Sequence, residues 1–196
     1  MGDCRTREEA TVKIACIQME PIVGEKERNV QRSLGLIEEA AVNGAHLLVM
    51  PELCNSGYVF GSREEAFALA EEIPNGPTCR SWAEAAQKHG LHIVAGINER
   101  DGQALYNAAV VIGPSGHVGT FRKVHLWNEE NLFFERGNLG FPGVSDATWS
   151  HRHLYLLRRL VSGKLPTLRT SGSRYHLHPD QLGSNSRPSA RPRGHS

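Results

Sequence analysis

The sequence predicts an α/β fold in which helices pack on a central mixed sheet. Through residues 12–97, apolar runs of strand length alternate with amphipathic segments of helix length. Two further runs, Ala104–Ile112 and His117–Lys123, follow each other directly around a Gly-Pro-Ser-Gly turn. Alternating strands and helices favour parallel pairing, and consecutive strands around a turn favour a hairpin, so one sheet should contain both.

The first three elements are predicted from apolar periodicity and the residues that interrupt it. Val12–Met19 is an apolar run typical of a buried strand. Asn29–Asn43 carries apolar residues at helical spacing, with Gly44 as its stop. His46–Met50 is a second short apolar strand, which ends at Pro51.

Two helices and a third strand should follow. Arg63–Glu72 is the first predicted helix, and Thr78–His89 is the second, closed by Gly90. Leu91–Ile97 is then a continuous apolar run, which predicts a buried strand before the hairpin.

The composition changes near residue 142. We expect a folded domain over residues 11–142 and a basic low-complexity tail over residues 143–196. From Val144 onward nine Lys/Arg stand against two Asp, a net charge of +7, while the rest has 13 basic and 19 acidic residues, a net charge of −6. His151–Val161 could form a basic helix, but Thr167–Ser196 lacks periodicity, which predicts disorder.

The basic tail raises nucleic-acid binding as an alternative function. Arg187, Arg191 and Arg193 would be the candidate contacts. From Thr167 onward Tyr175 is the one aromatic residue, and no recognition motif is present, so the sequence disfavours this function.

Composition gives no indication of a membrane or secreted protein. No apolar run approaches the roughly 20 residues of a spanning helix, and Met1–Thr11 lacks the apolar core of a signal peptide. The spacing of Cys4, Cys16, Cys54 and Cys79 matches no metal site, and no secretory context supports disulfides. We therefore expect a cytoplasmic protein without a membrane partner.

Two charged residues follow or end predicted strands. Glu52 comes after Pro51 at the carboxyl end of a buried strand, where ligands meet open α/β sheets. Lys123 ends the last predicted strand. A carboxylate and an ammonium in these places could serve as a base and an oxyanion stabiliser. Taken singly, Glu52 could instead be a surface carboxylate, and lysines are common at strand ends.

Other polar residues nearby are weaker candidates. Glu129 and Glu130 lie in a polar stretch that, unaided, is typical of a solvated surface. His125 could act as a base, but a histidine beside an apolar strand is more often structural. Cys54 could be a nucleophile, but it lies two residues after Glu52, and a base and a nucleophile so close on one loop rarely converge on one substrate atom.

Five motifs follow one another in order between residues 11 and 142. They are Ile17-Gln18-Met19, the run Leu-Val-Met-Pro-Glu-Leu-Cys-Asn-Ser-Gly-Tyr that ends at Tyr58, Tyr106-Asn107-Ala108-Ala109, Arg122-Lys123-Val124-His125-Leu126, and the segment from Glu130 to Gly137. In this order they resemble the nitrilase superfamily of carbon–nitrogen hydrolases.

The resemblance implies an α-β-β-α sandwich, here truncated, and a Glu-Lys-Cys triad. By this likeness Glu52 matches the general base and Lys123 the lysine that stabilises the tetrahedral oxyanion. Glu130 matches a second glutamate that positions substrate and lysine, and Tyr58 matches a tyrosine that lines the pocket.

The implied chemistry is acyl transfer without a metal or organic cofactor. A cysteine thiolate attacks a small-molecule amide, carbamoyl or nitrile carbon, ammonia or an amine leaves, and water hydrolyses the thioester. Members of the superfamily associate as homodimers or larger assemblies, so a homo-oligomer is one expectation.

The chain departs from this pattern because no cysteine follows Lys123. Codons can be chosen for Leu156–Leu165 that, when read one base later, give Cys-Tyr-Asp-Gly-Trp-Phe-Pro-Glu-Ser, which resembles the missing nucleophile segment. We therefore expect a one-base insertion or a splice slip near Gly143 and a catalytically incomplete chain. The alternative is an inactive fragment that acts by pairing with a full-length relative.

Overall fold

The computed structural model of the 196-residue chain describes residues 12–140. Within that range, one five-stranded sheet has its strands in sequence order. The strands are β1 (Ile14–Cys16), β2 (Leu47–Val49), β3 (His92–Asp101), β4 (Ala104–Gly113) and β5 (Gly116–Arg122). β1, β2 and β3 pair in parallel, whereas β3, β4 and β5 pair antiparallel. The mixed sheet that the sequence predicts is confirmed.

Four helices accompany the sheet in the described part of the chain. They are α1 (Lys26–Val42), α2 (Arg63–Leu69), α3 (Pro77–His89) and α4 (Glu130–Phe133). α2 begins after Ser62, whose hydroxyl accepts a hydrogen bond from the Glu65 amide at 3.2 Å. α3 ends at Gly90, which has a φ of 64° that glycine adopts without steric cost.

Several element ends differ from the predicted ones, and three of these differences reflect the packing of the chain. α1 begins at Lys26, before the predicted start at Asn29. α2 ends at Leu69, because the backbone becomes extended at Ala70 and Glu71 then forms a parallel bridge with Glu99. β3 continues past the predicted end at Ile97, because antiparallel pairing with β4 extends to its last residue.

α1 and α3 pack on one face of the sheet. Trp82 of α3 is fully buried, and its indole nitrogen donates to the Ser33 hydroxyl of α1 at 2.8 Å. Ile93, Ala95 and Ile97 alternate along β3 and belong to the same core cluster as these helices.

The opposite face of the sheet is apolar as well. Leu47, Val94 and Val111 alternate with the helix-facing residues and are 1%, 8% and 2% exposed. Strands that are buried on both faces have continuous apolar runs. This explains why β2 and β3 show no alternation in the sequence.

β1 is shorter and more exposed than the sequence predicts. It covers Ile14–Cys16 rather than Val12–Met19, and Ile14 is 39% exposed. β1 is the outermost strand of the described sheet, and its one pairing partner within residues 12–140 is β2. The expectation of a buried strand is therefore wrong, because an edge strand has a neighbour on one side only.

The predicted basic helix at His151–Val161 and the predicted disorder of Thr167–Ser196 lie outside the described residues. Among residues 12–140, no helix has both the length and the apolar character needed to cross a membrane.

Candidate active site

Glu52 lies in a tight turn that follows β2 and rests on β3. The Gly96 amide donates to the Pro51 carbonyl at 3.1 Å, and the Cys54 amide donates to the Gly96 carbonyl at 3.1 Å. A Cβ atom at Gly96 would lie 2.4 Å from the Glu52 Cα. Glycine at this position thus allows the turn to approach β3 and fixes where Glu52 leaves the sheet.

Leu53, next to Glu52, adopts a strained backbone conformation. Its φ is +46°, which is rare for a bulky residue, and its side chain is fully buried. The amides of Ser56 and Gly57 donate to its carbonyl at 3.2 and 2.9 Å. Such strain persists where the surrounding structure fixes it, and it concentrates at functional sites.

Lys123 is held by backbone hydrogen bonds on both sides. Its amide donates to the Asn107 carbonyl at 2.8 Å, which continues the pairing of β4 and β5. Its carbonyl accepts from the Gly137 amide at 2.9 Å. A Cβ at Gly137 would lie 2.0 Å from the Arg122 carbonyl oxygen, so glycine is needed for this close approach.

A buried ion pair anchors the strand end beside Lys123. Arg122 donates to both Glu99 carboxylate oxygens, at 2.8 and 2.6 Å, and to Asp101 at 2.9 Å. Its guanidinium lies 3.8 Å from the centre of the Tyr106 ring. Hydrogen bonds to Glu99 raise the pKa of Arg122, so the pair stays charged and fixes the backbone that carries Lys123.

The Lys123 ammonium lies between two carboxylates. Its Nζ donates to Glu52 Oε1 at 2.7 Å and to Glu130 Oε1 at 2.8 Å. The Tyr58 hydroxyl donates to the same Glu130 oxygen at 2.9 Å, and the Trp127 amide donates to Glu130 Oε2 at 2.6 Å. All four residues that the sequence singles out for this site therefore lie in one hydrogen-bonded cluster.

The two carboxylates differ in exposure. The Glu130 side chain is 4% exposed, and the Glu52 side chain is 44% exposed. Burial alone would raise the pKa of Glu130, but hydrogen bonds from Lys123, the Trp127 amide and Tyr58 outweigh it, so the pKa is lowered. Glu130 is thus an ionised buried support, while Glu52 is partly exposed.

The same two carboxylates, Glu130 and Glu52, raise the pKa values of Lys123 and Tyr58. Burial alone would lower the pKa of Lys123, but hydrogen bonds to Glu130 and Glu52 outweigh it, and the pKa is raised. Burial and the hydrogen bond to Glu130 both raise the pKa of Tyr58. At neutral pH the site therefore presents an ammonium and a neutral phenol.

The other polar residues considered for the site differ in burial and in their contacts with the cluster. Viewing Glu130 as part of a solvated surface is wrong, because its side chain is buried in α4, whereas Glu129 is exposed. His125 is exposed, and it takes no part in the hydrogen bonds of the cluster. Cys54 is fully buried against the Gly96 carbonyl, and burial raises the pKa of its thiol to about 12, so it is almost entirely a thiol at neutral pH.

One polar residue of the cluster has no predicted role in the sequence analysis. Asn107 Nδ2 donates to Glu52 Oε1 at 2.5 Å and to Glu130 Oε1 at 2.9 Å. Its place in the Tyr106-Asn107-Ala108-Ala109 motif was the available signal. Sequence alone could not reveal the contact, because it depends on the register of β4 against β5 and on the turn after β2.

Metal ligands do not cluster in the part of the chain that the structure describes. Among residues 12–140 there is no group of three or more His, Cys, Asp or Glu side chains that could hold a metal ion.

A family model described as carbon–nitrogen hydrolase matches residues 13–168 of the chain. A nitrilase from Pyrococcus abyssi is 48% identical over 130 residues, which cover 66% of this chain and 50% of that protein. The omega-amidase NIT2 of Danio rerio is 39% identical over 125 residues, which cover 61% of this chain and 44% of that protein. The chain thus spans about half the length of the curated relatives it matches.

The fold is similar to that of solved proteins with the same description. The crystal structure of a carbon–nitrogen hydrolase from Helicobacter pylori G27 aligns with a TM-score of 0.58 at 22% identity. The alignment covers 68% of this chain and 47% of that one. This likeness confirms the α/β architecture that the sequence motifs imply.

Proposed function

This chain belongs to the carbon–nitrogen hydrolase family, and we propose that the cluster around Lys123 is the preformed part of a Glu-Lys-Cys hydrolase site. The observation that carries the proposal is the lysine ammonium held between the Glu52 and Glu130 carboxylates. The Glu52 side chain is 44% exposed, whereas the Glu130 side chain is buried. The activity, substrates and partners of the whole protein are part of this proposal.

In the proposed reaction, Glu52 removes the proton from a cysteine thiol. The thiolate attacks the carbon of an amide, carbamoyl group or nitrile, and the electron pair of the carbonyl or nitrile bond moves onto oxygen or nitrogen. The Lys123 ammonium stabilises that developing negative charge. With an amide or carbamoyl group, Glu52 returns the proton to the leaving nitrogen, and ammonia or an amine departs to leave a thioester. With a nitrile, the first product is a thioimidate, which adds one water before ammonia departs to leave the same kind of thioester. A further water then hydrolyses the thioester to an acid and frees the thiol.

The chemistry of the site and the names of the relatives support one class of substrate. The relatives carry the names nitrilase and omega-amidase, which denote hydrolysis of a nitrile and of a terminal amide. A small neutral amide, carbamoyl or nitrile group is compatible with a lysine that already has two carboxylate partners. We propose such a small molecule as the substrate.

The nucleophile is the missing component. The cysteines of the chain are Cys4, Cys16, Cys54 and Cys79, all before Lys123. We propose that the 196-residue chain is inactive, and that a one-base change near the Gly143 codon separates it from an active form. Loss of the nucleophile of a catalytic unit costs orders of magnitude in rate.

The test compares the chain with a version whose reading frame is shifted back near the Gly143 codon. We expect no ammonia release from amides, carbamoyl compounds or nitriles by the chain itself, and release by the repaired protein. Glu52→Gln and Lys123→Ala should each abolish turnover in the repaired protein, and Cys54→Ala should not. An early stop codon in the repaired frame would overturn the frame proposal. Turnover by the original chain that is lost in Cys54→Ala would make Cys54 the nucleophile.

A second candidate function is pairing with a full-length relative. The observation that favours it is the exposed outer edge of β1, where Ile14 is 39% exposed and Cys16 is exposed. An unpaired edge strand can add a strand from another chain. Co-purification of the tagged chain with a co-expressed full-length relative, lost in a Cys16→Pro variant, would support pairing. Recovery of the chain alone would exclude it.

A further inference from the structure

Asn107 contacts both acids of the cluster and the lysine backbone. Its side-chain nitrogen donates to Glu52 Oε1 at 2.5 Å and to Glu130 Oε1 at 2.9 Å. Its carbonyl accepts from the Lys123 amide at 2.8 Å. The residue is 4% exposed, so these groups are its immediate environment.

The same two carboxylate oxygens also accept from Lys123 Nζ, at 2.7 and 2.8 Å. The lysine ammonium and the asparagine amide therefore each donate to the same two oxygens, one from each glutamate. Two carboxylates and one ammonium leave an excess negative charge, so like-charge repulsion acts to separate the acids. An amide NH₂ group supplies two further donors without adding charge.

We propose that Asn107 is a positioning residue that keeps Glu52 on the Lys123 ammonium by bridging the Glu52 and Glu130 carboxylates. The catalytic consequence of this role rests on the proposed function, whereas the bridge itself concerns only how three side chains are held. In this proposal Asn107 takes no proton and makes no covalent bond, and it acts through Glu52.

Loss of the Asn107 amide should affect Glu52 more than Glu130. Glu130 would keep the Tyr58 hydroxyl, the Trp127 amide and Lys123 as donors. Glu52 would keep Lys123 alone among the hydrogen-bond donors found in the described residues, and its side chain is 44% exposed. Glu52 would then turn toward water, because solvent offers it hydrogen bonds without the repulsion of Glu130.

The consequence is measurable on Lys123 without any substrate. Among residues 12–140, the ionisable groups that accept hydrogen bonds from its ammonium are Glu52 and Glu130, and the Tyr58 hydroxyl donates to Glu130. The hydrogen bond to Glu52 is one of the two that raise the pKa of Lys123. Withdrawal of Glu52 should therefore lower that pKa and raise the fraction of reactive amine at a given pH.

The experiment is competitive labelling of the full chain with an amine-reactive acetylating reagent, quantified for Lys123 by mass spectrometry across pH. Asn107→Leu should raise the Lys123 labelling rate at fixed pH about threefold. Glu52→Gln should raise it similarly, and the double variant should show no further increase, because Asn107 acts through Glu52. Asn107→Ser provides the same comparison if the leucine variant does not fold.

The matched control is Asn98, a fully buried asparagine on β3 that lies directly opposite Asn107 in the sheet register. Its amide nitrogen donates to the Ala66 carbonyl, away from the carboxylates. Asn98→Leu should lower the melting temperature and leave Lys123 labelling unchanged. A folded Asn107 variant with unchanged labelling, or additive effects with Glu52→Gln, would overturn the proposal. If the labelling result is as expected and the repaired protein releases no ammonia, the proposed function fails and the bridge remains.

Discussion

At the scale of single residues, the site contains two glutamates with different environments. Glu130 is buried and accepts four hydrogen bonds, from Tyr58, Asn107, Lys123 and the Trp127 amide. Glu52 accepts hydrogen bonds at one oxygen and is 44% exposed. The same type of side chain is therefore a buried, fully hydrogen-bonded support in one place and a partly exposed carboxylate in the other, because its surroundings differ.

We expect Glu130→Gln to destabilise the protein in a pH-dependent manner. The amide cannot replace a carboxylate that accepts at both oxygens, so unfolding free energy at pH 7 should fall by about 1–3 kcal/mol. The folded pKa of Glu130 lies below the reference value of 4.5, so its ionisation stabilises the fold above that value. This stabilisation is lost as pH falls through the folded pKa, and the difference between variant and wild type should shrink there.

Urea unfolding at pH 7 and at a series of lower pH values measures this effect. Glu129→Gln is the matched control, since Glu129 is the exposed neighbour, and its change should stay within about 0.5 kcal/mol. A difference for Glu130→Gln that is independent of pH would mean that its charge does not stabilise the fold.

At the scale of elements, close backbone contacts at two glycines fix the strand ends that carry the site. Gly96 lets the turn with Glu52 rest on β3, and Gly137 lets its own segment approach the end of β5 beside Lys123. Both contacts join segments that are distant in sequence. The geometry of the site thus depends on how elements approach each other as well as on the charged residues.

Gly96→Ala should be strongly destabilising and should separate Glu52 from Lys123. The added Cβ would lie 2.4 Å from the Glu52 Cα and 2.5 Å from the Leu53 nitrogen, which are backbone atoms and cannot rotate away. We expect a loss of about 3 kcal/mol or more, as for overpacked cores. The matched control is Gly35→Ala in the exposed middle of α1, where, apart from the adjacent residues and the helix's own backbone, no atom of the described residues lies within 4 Å of the new Cβ.

Gly35→Ala should stabilise the protein by about 0.5–1 kcal/mol, because alanine restricts the unfolded chain and favours a helix. Thermal and urea melts of both variants measure the contrast. Equal stability of Gly96→Ala and wild type would show that the turn can move away from β3.

The elements of this fold were largely predictable from the sequence, because they depend on local periodicity. The hairpin of β4 and β5 and the Gly90 end of α3 follow from turn and stop residues a few positions away. The exposure of β1 and the burial of Glu130 were not predictable, since both depend on which segments lie nearby in three dimensions. The proposed roles of Glu52 and Lys123 rest on the order of the motifs. The hydrogen bonds from Asn107 to both glutamates depend on strand register, which the sequence does not show.

At the scale of the whole molecule, the two edges of the described sheet, β1 and β5, have different neighbours. β5 is followed by the segment that contains α4 and Gly137. The Glu135 amide of this segment donates to the Leu105 carbonyl on β4, and its Gly137 amide donates to the carbonyl of Lys123, the residue after β5. β1 has no strand partner on its outer side within residues 12–140, and apolar Ile14 is partly exposed there. Such an edge is a site for association between chains.

We expect Ile14→Lys to reduce self-association of the chain. A lysine on an edge strand hinders pairing with a second chain, through its charge and its hydration. Light scattering at increasing protein concentration, with binding of a hydrophobic dye as a second readout, measures the effect. Val42→Lys is the matched control, because Val42 is 81% exposed at the end of α1 and is not part of the sheet. An equal reduction of self-association by both variants would mean that the added positive charge, and not the edge strand, is responsible.

The hydrogen bond between Glu52 and Lys123 spans 71 residues of sequence and has a consequence for synthesis. A ribosome releases the N-terminal part first, so Glu52 and the first parallel strands leave it well before β5 and α4. The Glu52 carboxylate is therefore hydrated until Lys123 has been synthesised. Before the two side chains can meet, β2 must pair in parallel with β3, which closes the loop that contains α2 and α3. On a nascent chain, protection of Lys123 from an amine-reactive reagent would show when Glu52 and the segment with α4 have both reached the lysine.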